Sequence, residues 1–98
     1  MTKTAEYKVP DGKLLRADVA ANGEITAVSL HGDFFIYPET ALDDITTALE
    51  GCKTDMDEQT MTQTIKDNLD TNTKLVGFRP SDVTAVVKQA LEADTDEQ

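Results

Sequence analysis

The fold is decided by Lys13-Leu14-Leu15-Arg16-Ala17-Asp18-Val19-Ala20-Ala21-Asn22-Gly23-Glu24-Ile25-Thr26-Ala27-Val28-Ser29-Leu30. Leu15, Ala17 and Val19 alternate with Arg16 and Asp18, the period of a half-buried strand. Asn22-Gly23 then separates two such runs. A type I′ hairpin turn needs positive φ at both central residues, which Asn and Gly tolerate. With Asn22 and Gly23 as those residues, Ala21 faces Glu24, Val19 faces Thr26, Ala17 faces Val28 and Leu15 faces Leu30. The apolar faces of the two strands then coincide, as one buried face requires. The second strand is expected over about Glu24 to Gly32. Upstream, residues 1–5 are expected to fray, Tyr7 to Val9 begin a strand, and Pro10-Asp11-Gly12 signals a turn.

Downstream lies His31-Gly32-Asp33-Phe34-Phe35-Ile36-Tyr37-Pro38-Glu39, which reads either as more strand or as a bend into a helix. Pro38 suits a first helical position. Glu39, Asp43 and Asp44 favour the positive end of a helix dipole. Leu42, Ile45, Ala48 and Leu49 recur at helical spacing, and Gly51 suits the residue after the helix, giving a helix over about 38–50. Thr54 to Asp57 can cap a second helix whose apolar stripe, Met61, Ile65 and Leu69, is narrow. Leu75, Val76 and Phe78 are expected to plug the core from a connector. Arg79-Pro80-Ser81-Asp82 starts a third helix carrying Val83, Val86, Val87, Ala90 and Leu91. The tail, 94–98, is expected to be disordered. Strands followed by helices predict an α+β domain: a small antiparallel sheet of about three strands, packed on one face by three helices. All 98 residues fit one domain, its ordered core over about 5–93.

Composition narrows the function. The net charge is −10, which argues against nucleic acid and against anionic membranes as partners, since both need a basic surface. No apolar run reaches the ~20 residues of a membrane span, and the first residues lack a signal-peptide core. A soluble, cytoplasmic protein is expected. The acids are spread along the chain, lysine is sparse and threonine abundant. Either a salt-adapted, halophilic host or an ordinary acidic domain accounts for this.

Candidate chemistry is thin. Cys52 is the single cysteine; Lys53 beside it could lower its pKa and make it a sulfur carrier, but it has no second Cys and no His near it in sequence, so a structural role is favoured. His31 would need an orienting partner, with Asp33 two residues on, and a nucleophile; a histidine at a strand edge is favoured. Asp43-Asp44 and Asp55-x-Asp57 could bind a hard cation, but Asp55-Met56-Asp57-Glu58-Gln59 lacks the central glycine of a calcium loop, and solvated helix starts are favoured. There is no phosphate-binding glycine motif. The aromatics differ. A small sheet cannot easily bury Phe34, Phe35 and Tyr37 together, so core filling and a partner surface both remain open. If the segment is extended, Phe34 and Phe35 point to opposite sides, one inward and one toward a partner. The candidate interface is Gly32, Asp33, Phe34, Phe35 and Tyr37.

Lys8-Val9-Pro10-Asp11-Gly12-Lys13-Leu14-Leu15-Arg16-Ala17-Asp18-Val19 resembles the opening of the C-terminal accessory domain of lipoate–protein ligases. Ile25 and Val28, Gly32-Asp33-Phe34-Phe35, Pro38-Glu39 and Ala41-Leu42 follow in that family's order. The likeness covers about residues 6–51 well and the last two helices loosely. It implies a detached accessory subunit, not an enzyme on its own, beside a large catalytic lipoate–protein ligase subunit. That subunit would hold ATP, Mg2+ and lipoate, form lipoyl-AMP and transfer the lipoyl group to a lysine of an acyl-carrier domain, a second expected partner. This chain would bind no cofactor or metal itself. The resemblance extends to the sulfur-acceptor and iron–sulfur scaffold fold, although a scaffold needs about three cysteine ligands. The alternatives are a sulfur acceptor using Cys52 and a generic acidic interaction domain.

If mutual repulsion of the acids limits stability, screening them should stabilise the chain. Raising KCl from about 0.1 M to about 2 M is expected to raise Tm by roughly 5 °C; a Tm that stays flat or falls favours the ordinary acidic domain.

Overall fold

A computed structural model describes residues 2–10 and 12–92. The expected disorder of 94–98, and Asp11 of the expected turn, lie outside them. Strands β1 (Thr2–Lys8), β2 (Leu14–Ala21) and β3 (Ile25–Gly32) form an antiparallel sheet in the order β1-β2-β3. Strand β4 (Phe35–Tyr37) follows, then helices α1 (Ala41–Leu49) and α2 (Glu58–Asp67), strand β5 (Lys74–Val76) and helix α3 (Pro80–Glu92). β4 and β5 make a separate two-stranded ribbon. The molecule is thus α+β, with a three-stranded antiparallel sheet and three helices, as the sequence pattern predicts.

The inner face of β2 is the floor of the core. Leu15, Ala17 and Val19 are buried beneath Val83, Val86, Val87 and Ala90 of α3. Each buried valine contributes about 1.5–3 kcal/mol relative to exposure. α2 joins through Met61 and Ile65 only, both fully buried, with Leu69 packed at the margin, so the narrow stripe behaves as read. The Thr62 and Thr84 hydroxyls, 2.8 Å apart, link α2 to α3. At the start of α3, the Asp82 carboxylate accepts the Arg79 backbone N–H at 2.8 Å. This satisfies a donor that the first turn leaves unpaired.

Several expectations need correction. β1 begins at Thr2, not near Tyr7, because pairing of Thr2 with Ala20 and Lys3 with Val19 holds the start of the chain. The β2–β3 register is displaced by two residues: Val19 pairs with Val28, Ala17 with Leu30 and Leu15 with Gly32. The faces are unchanged because a shift of two preserves side-chain direction. The cause is tertiary. Glu24 bridges to Lys53, and Ile25 exchanges backbone hydrogen bonds with Gly51 and Cys52 at 2.8 Å each, so Glu24 is unavailable to Ala21. Ala21 pairs with Ile25 instead, past a register irregularity at Ala20/Ala21, and the loop takes in Asn22, Gly23 and Glu24.

Pro38 does not open α1. The chain stays extended through Tyr37 in β4, the Tyr37–Pro38 bond is cis, and residues 38–40 turn before Ala41. The Ala41 and Leu42 N–H groups reach back to the Pro38 and Glu39 carbonyls at 2.9 and 3.1 Å. Of the three connector residues expected in the core, only Phe78 is buried; Leu75 is half-buried and Val76 exposed, since Lys74–Val76 is a strand paired with β4.

Gly32 fixes the corner between β3 and β4. Its φ is +153°, and a Cβ there would sit 2.3 Å from the Leu14 carbonyl oxygen. Backbone cannot yield as a flexible side chain does. Gly32→Ala is expected to cost at least about 2 kcal/mol in urea unfolding; a cost below about 0.5 kcal/mol would contradict the packing described.

Candidate functional site

The β4–β5 ribbon exists because Phe35, Ile36 and Tyr37 pair with Val76, Leu75 and Lys74. Directly opposed residues share a face, so Phe35, Val76, Tyr37 and Lys74 present one side and Ile36 and Leu75 the other. The inner side packs against the core through Ile36 and Leu75. The outer side is open: Phe35 is 76% exposed, Tyr37 69% and Val76 57%. An isolated two-stranded ribbon is marginal in water; here Phe34 anchors it, its ring 4.7 Å from that of the buried Phe78.

Phe34 and Phe35 therefore take opposite environments, as the extended reading expects: Phe34 is half-buried on Phe78, and Phe35 faces outward. Gly32 and Asp33 lie beside them. Together with Lys13 they line a surface groove of about 410 Å³. All five candidate interface residues thus meet at one place. Val76, Leu14, Lys13, Lys74 and Arg79 join them in space, and the sequence reading missed these. Val76 in particular reads as core filler, because its partner Phe35 is far away in the chain and leaves no local signal.

Three chain corners converge there. A Cβ on Gly12 would lie 2.8 Å from the Gly77 carbonyl, and one on Gly77 would lie 3.6 Å from Phe34 Cβ. The β1–β2 turn, the β3–β4 corner and the β5–α3 corner are therefore packed backbone to backbone.

The remaining candidates separate from this site. His31 is exposed, and its Nε2 lies 3.3 Å from Asp18 Oδ2, not beside Asp33. Thr4 donates its hydroxyl to Asp18 Oδ1 at 2.7 Å. The order is hydroxyl, carboxylate, imidazole; a nucleophile needs the imidazole next to the hydroxyl. The set is structural. The Thr4 hydroxyl, with the Arg16 and His31 charges, holds the Asp18 carboxyl below its usual range against the opposing effect of burial. Asp57 caps α2 with extended backbone, and the Thr60 hydroxyl lowers its pKa. Among the described residues, no group of three or more His, Cys, Asp or Glu side chains could hold a metal ion. No helix is long and apolar enough to cross a membrane among them.

Cys52 is buried, and its thiol donates to the Ala48 carbonyl at 3.4 Å. Burial pushes its pKa up, the opposite of what a nucleophilic thiolate needs. In the native protein at pH 7.5, Cys52 is expected to react with a maleimide roughly a hundredfold more slowly than a cysteine peptide, and at the peptide's rate in denaturant. Equal native and denatured rates would return Cys52 to the list of candidate nucleophiles.

No family model matches the sequence, and no curated protein matches it. Among solved structures the chain is similar to one from an archaeal lipoylation system, a bipartite lipoate protein ligase and its E2 lipoyl domain from Thermoplasma acidophilum. The likeness covers 95% of this chain and 97% of that one, with a TM-score of 0.69 and 22% sequence identity. It establishes a shared fold.

Proposed function

We propose that this chain takes part in protein lipoylation as the accessory, non-catalytic subunit of a lipoate–protein ligase. It binds the large catalytic subunit and enables ATP-dependent activation of lipoate to lipoyl-AMP. The observation that carries the reading is the end-to-end likeness to a chain of a bipartite ligase system, 97% of that chain being covered. The resemblance of residues 6–51 to the ligase accessory domain points the same way. So does the exposed aromatic side of the ribbon, which has no catalytic set beside it. Docking would hold the catalytic subunit's nucleotide loop in its reactive arrangement and so lower the conformational cost of the adenylation step.

The solved system also includes an E2 lipoyl domain, and an exposed lysine, Lys13, lies in the β1–β2 connection here. That supports a second reading, in which this chain itself receives the lipoyl group. The ordered match to the accessory domain favours the first. The buried Cys52 speaks against the sulfur-acceptor alternative.

One reconstitution separates them. The ligase catalytic chain encoded in the same genome is assayed for lipoate-dependent pyrophosphate release with and without this chain. At least about a tenfold increase is expected, equivalent to about 1.4 kcal/mol of barrier. Full activity of the catalytic chain alone contradicts the proposal. A lipoyl mass gained by this chain, lost in Lys13→Arg, supports the acceptor reading instead.

A further inference from the structure

The exposed large apolar side chains among the described residues, Leu14, Phe35, Tyr37 and Val76, all belong to the end where the three chain corners meet. Leu14 is 46% exposed and pairs with Lys8 across the β1–β2 ladder. Its carbonyl packs against Gly32. From Gly32 the surface continues through Lys13 to Phe35, then across the ribbon to Val76, with Tyr37 and Lys74 on the same side. A second shallow groove of about 300 Å³ carries it on from Gly12 and Gly77 to Arg79.

The charge at this end does not follow the rest of the chain. Lys8, Lys13, Lys74 and Arg79 supply four cations here, of the nine in the sequence. The four side chains make no ion pair among the described residues. Glu6, Asp33, Glu39 and Asp70 are the neighbouring exposed acids among the described residues, while Asp82 is buried and bound to the Arg79 backbone. Four cations against four exposed acids among the described residues is a local balance in a chain whose net charge is −10. Another acidic protein meets less repulsion here than over the chain as a whole.

The geometry points to one docking surface: an apolar centre of Phe35, Tyr37 and Val76 rimmed by Lys13, Lys74 and Arg79, built for a protein whose contact surface has an apolar patch bordered by carboxylates. This inference rests on the proposed ligase reading and states which face meets the catalytic subunit and with what chemistry. The apolar centre supplies the buried area. The rim steers approach and sets register. His31, Arg16 and Asp18 lie on the sheet beyond the rim and take no part.

The test is the affinity of the full chain for the catalytic ligase chain from the same genome, measured at about 0.15 M salt, where the screening length is about 8 Å. Lys13→Glu/Lys74→Glu is expected to raise Kd at least about tenfold, and Lys13→Arg/Lys74→Arg to leave it within about twofold, because the charge is kept. Lys53→Glu/Lys66→Glu, the same change elsewhere, is expected to stay within about threefold. Unfolding curves of each variant confirm that the fold persists; should the double glutamate variant unfold, Phe35→Ser is read in its place, with a loss of at least about tenfold expected. Tight binding unaffected by changes at Lys13, Lys74 and Phe35 overturns the surface and leaves the accessory role standing. Equal losses from the Lys53/Lys66 pair overturn the charged rim alone. No binding by the unaltered chain overturns both.

Discussion

Burial of one face of β2 beneath α3 is the constraint on which the rest depends. β2 is paired on both sides, with β1 and with β3, so its backbone is fully committed and its side chains decide where helices can sit. Leu15, Ala17 and Val19 leave an apolar floor, and Val83, Val86, Val87 and Ala90 cover it. Once α3 is fixed there, Arg79, Gly77 and Phe78 at its start are fixed too. Phe78 then provides the seat for Phe34. The ribbon is therefore placed by the core, and its outer aromatics are held outward by the same packing that buries Phe34.

Function enters where this arrangement leaves apolar surface uncovered. The polar sets elsewhere are satisfied: Asp18 is bound to Thr4 and His31, and Cys52 is bound to Ala48. None combines a nucleophile with a base. An aromatic face on a small, highly charged domain costs solubility and gains nothing within the monomer. The proposed docking role accounts for the exposed Phe35 and the unpaired lysines together.

Much of the fold was legible in local pattern. Alternation at Leu15, Ala17 and Val19, the helical spacing of Ile45, Ala48 and Leu49, and the narrow Met61–Ile65 stripe all describe faces, and faces survive in the structure. What could not be read was set by distant residues. The hairpin register follows from Lys53 bridging Glu24, nearly thirty residues away. β5 is too short to show a period and forms only because β4 is there to pair. Pro38 carries a genuine helix-start signal, overridden by the pairing of Tyr37. At the candidate site, Phe34, Phe35 and Tyr37 were visible as an excess of aromatics for so small a sheet. Their cationic rim was not, because Lys13, Lys74 and Arg79 come from three corners that only the tertiary fold unites.

On the proposed reading, the ribbon end is where this chain meets a ligase catalytic subunit. Hydrogen exchange of the backbone amides, measured for the chain alone and in the presence of the catalytic subunit, tests it most directly. Slowed exchange confined to residues 12–14, 33–37 and 74–79 is the predicted result, with His31, Arg16 and the rest of the outer sheet face unchanged. Unchanged exchange throughout, or protection centred on α2 or on the outer sheet face, would contradict it.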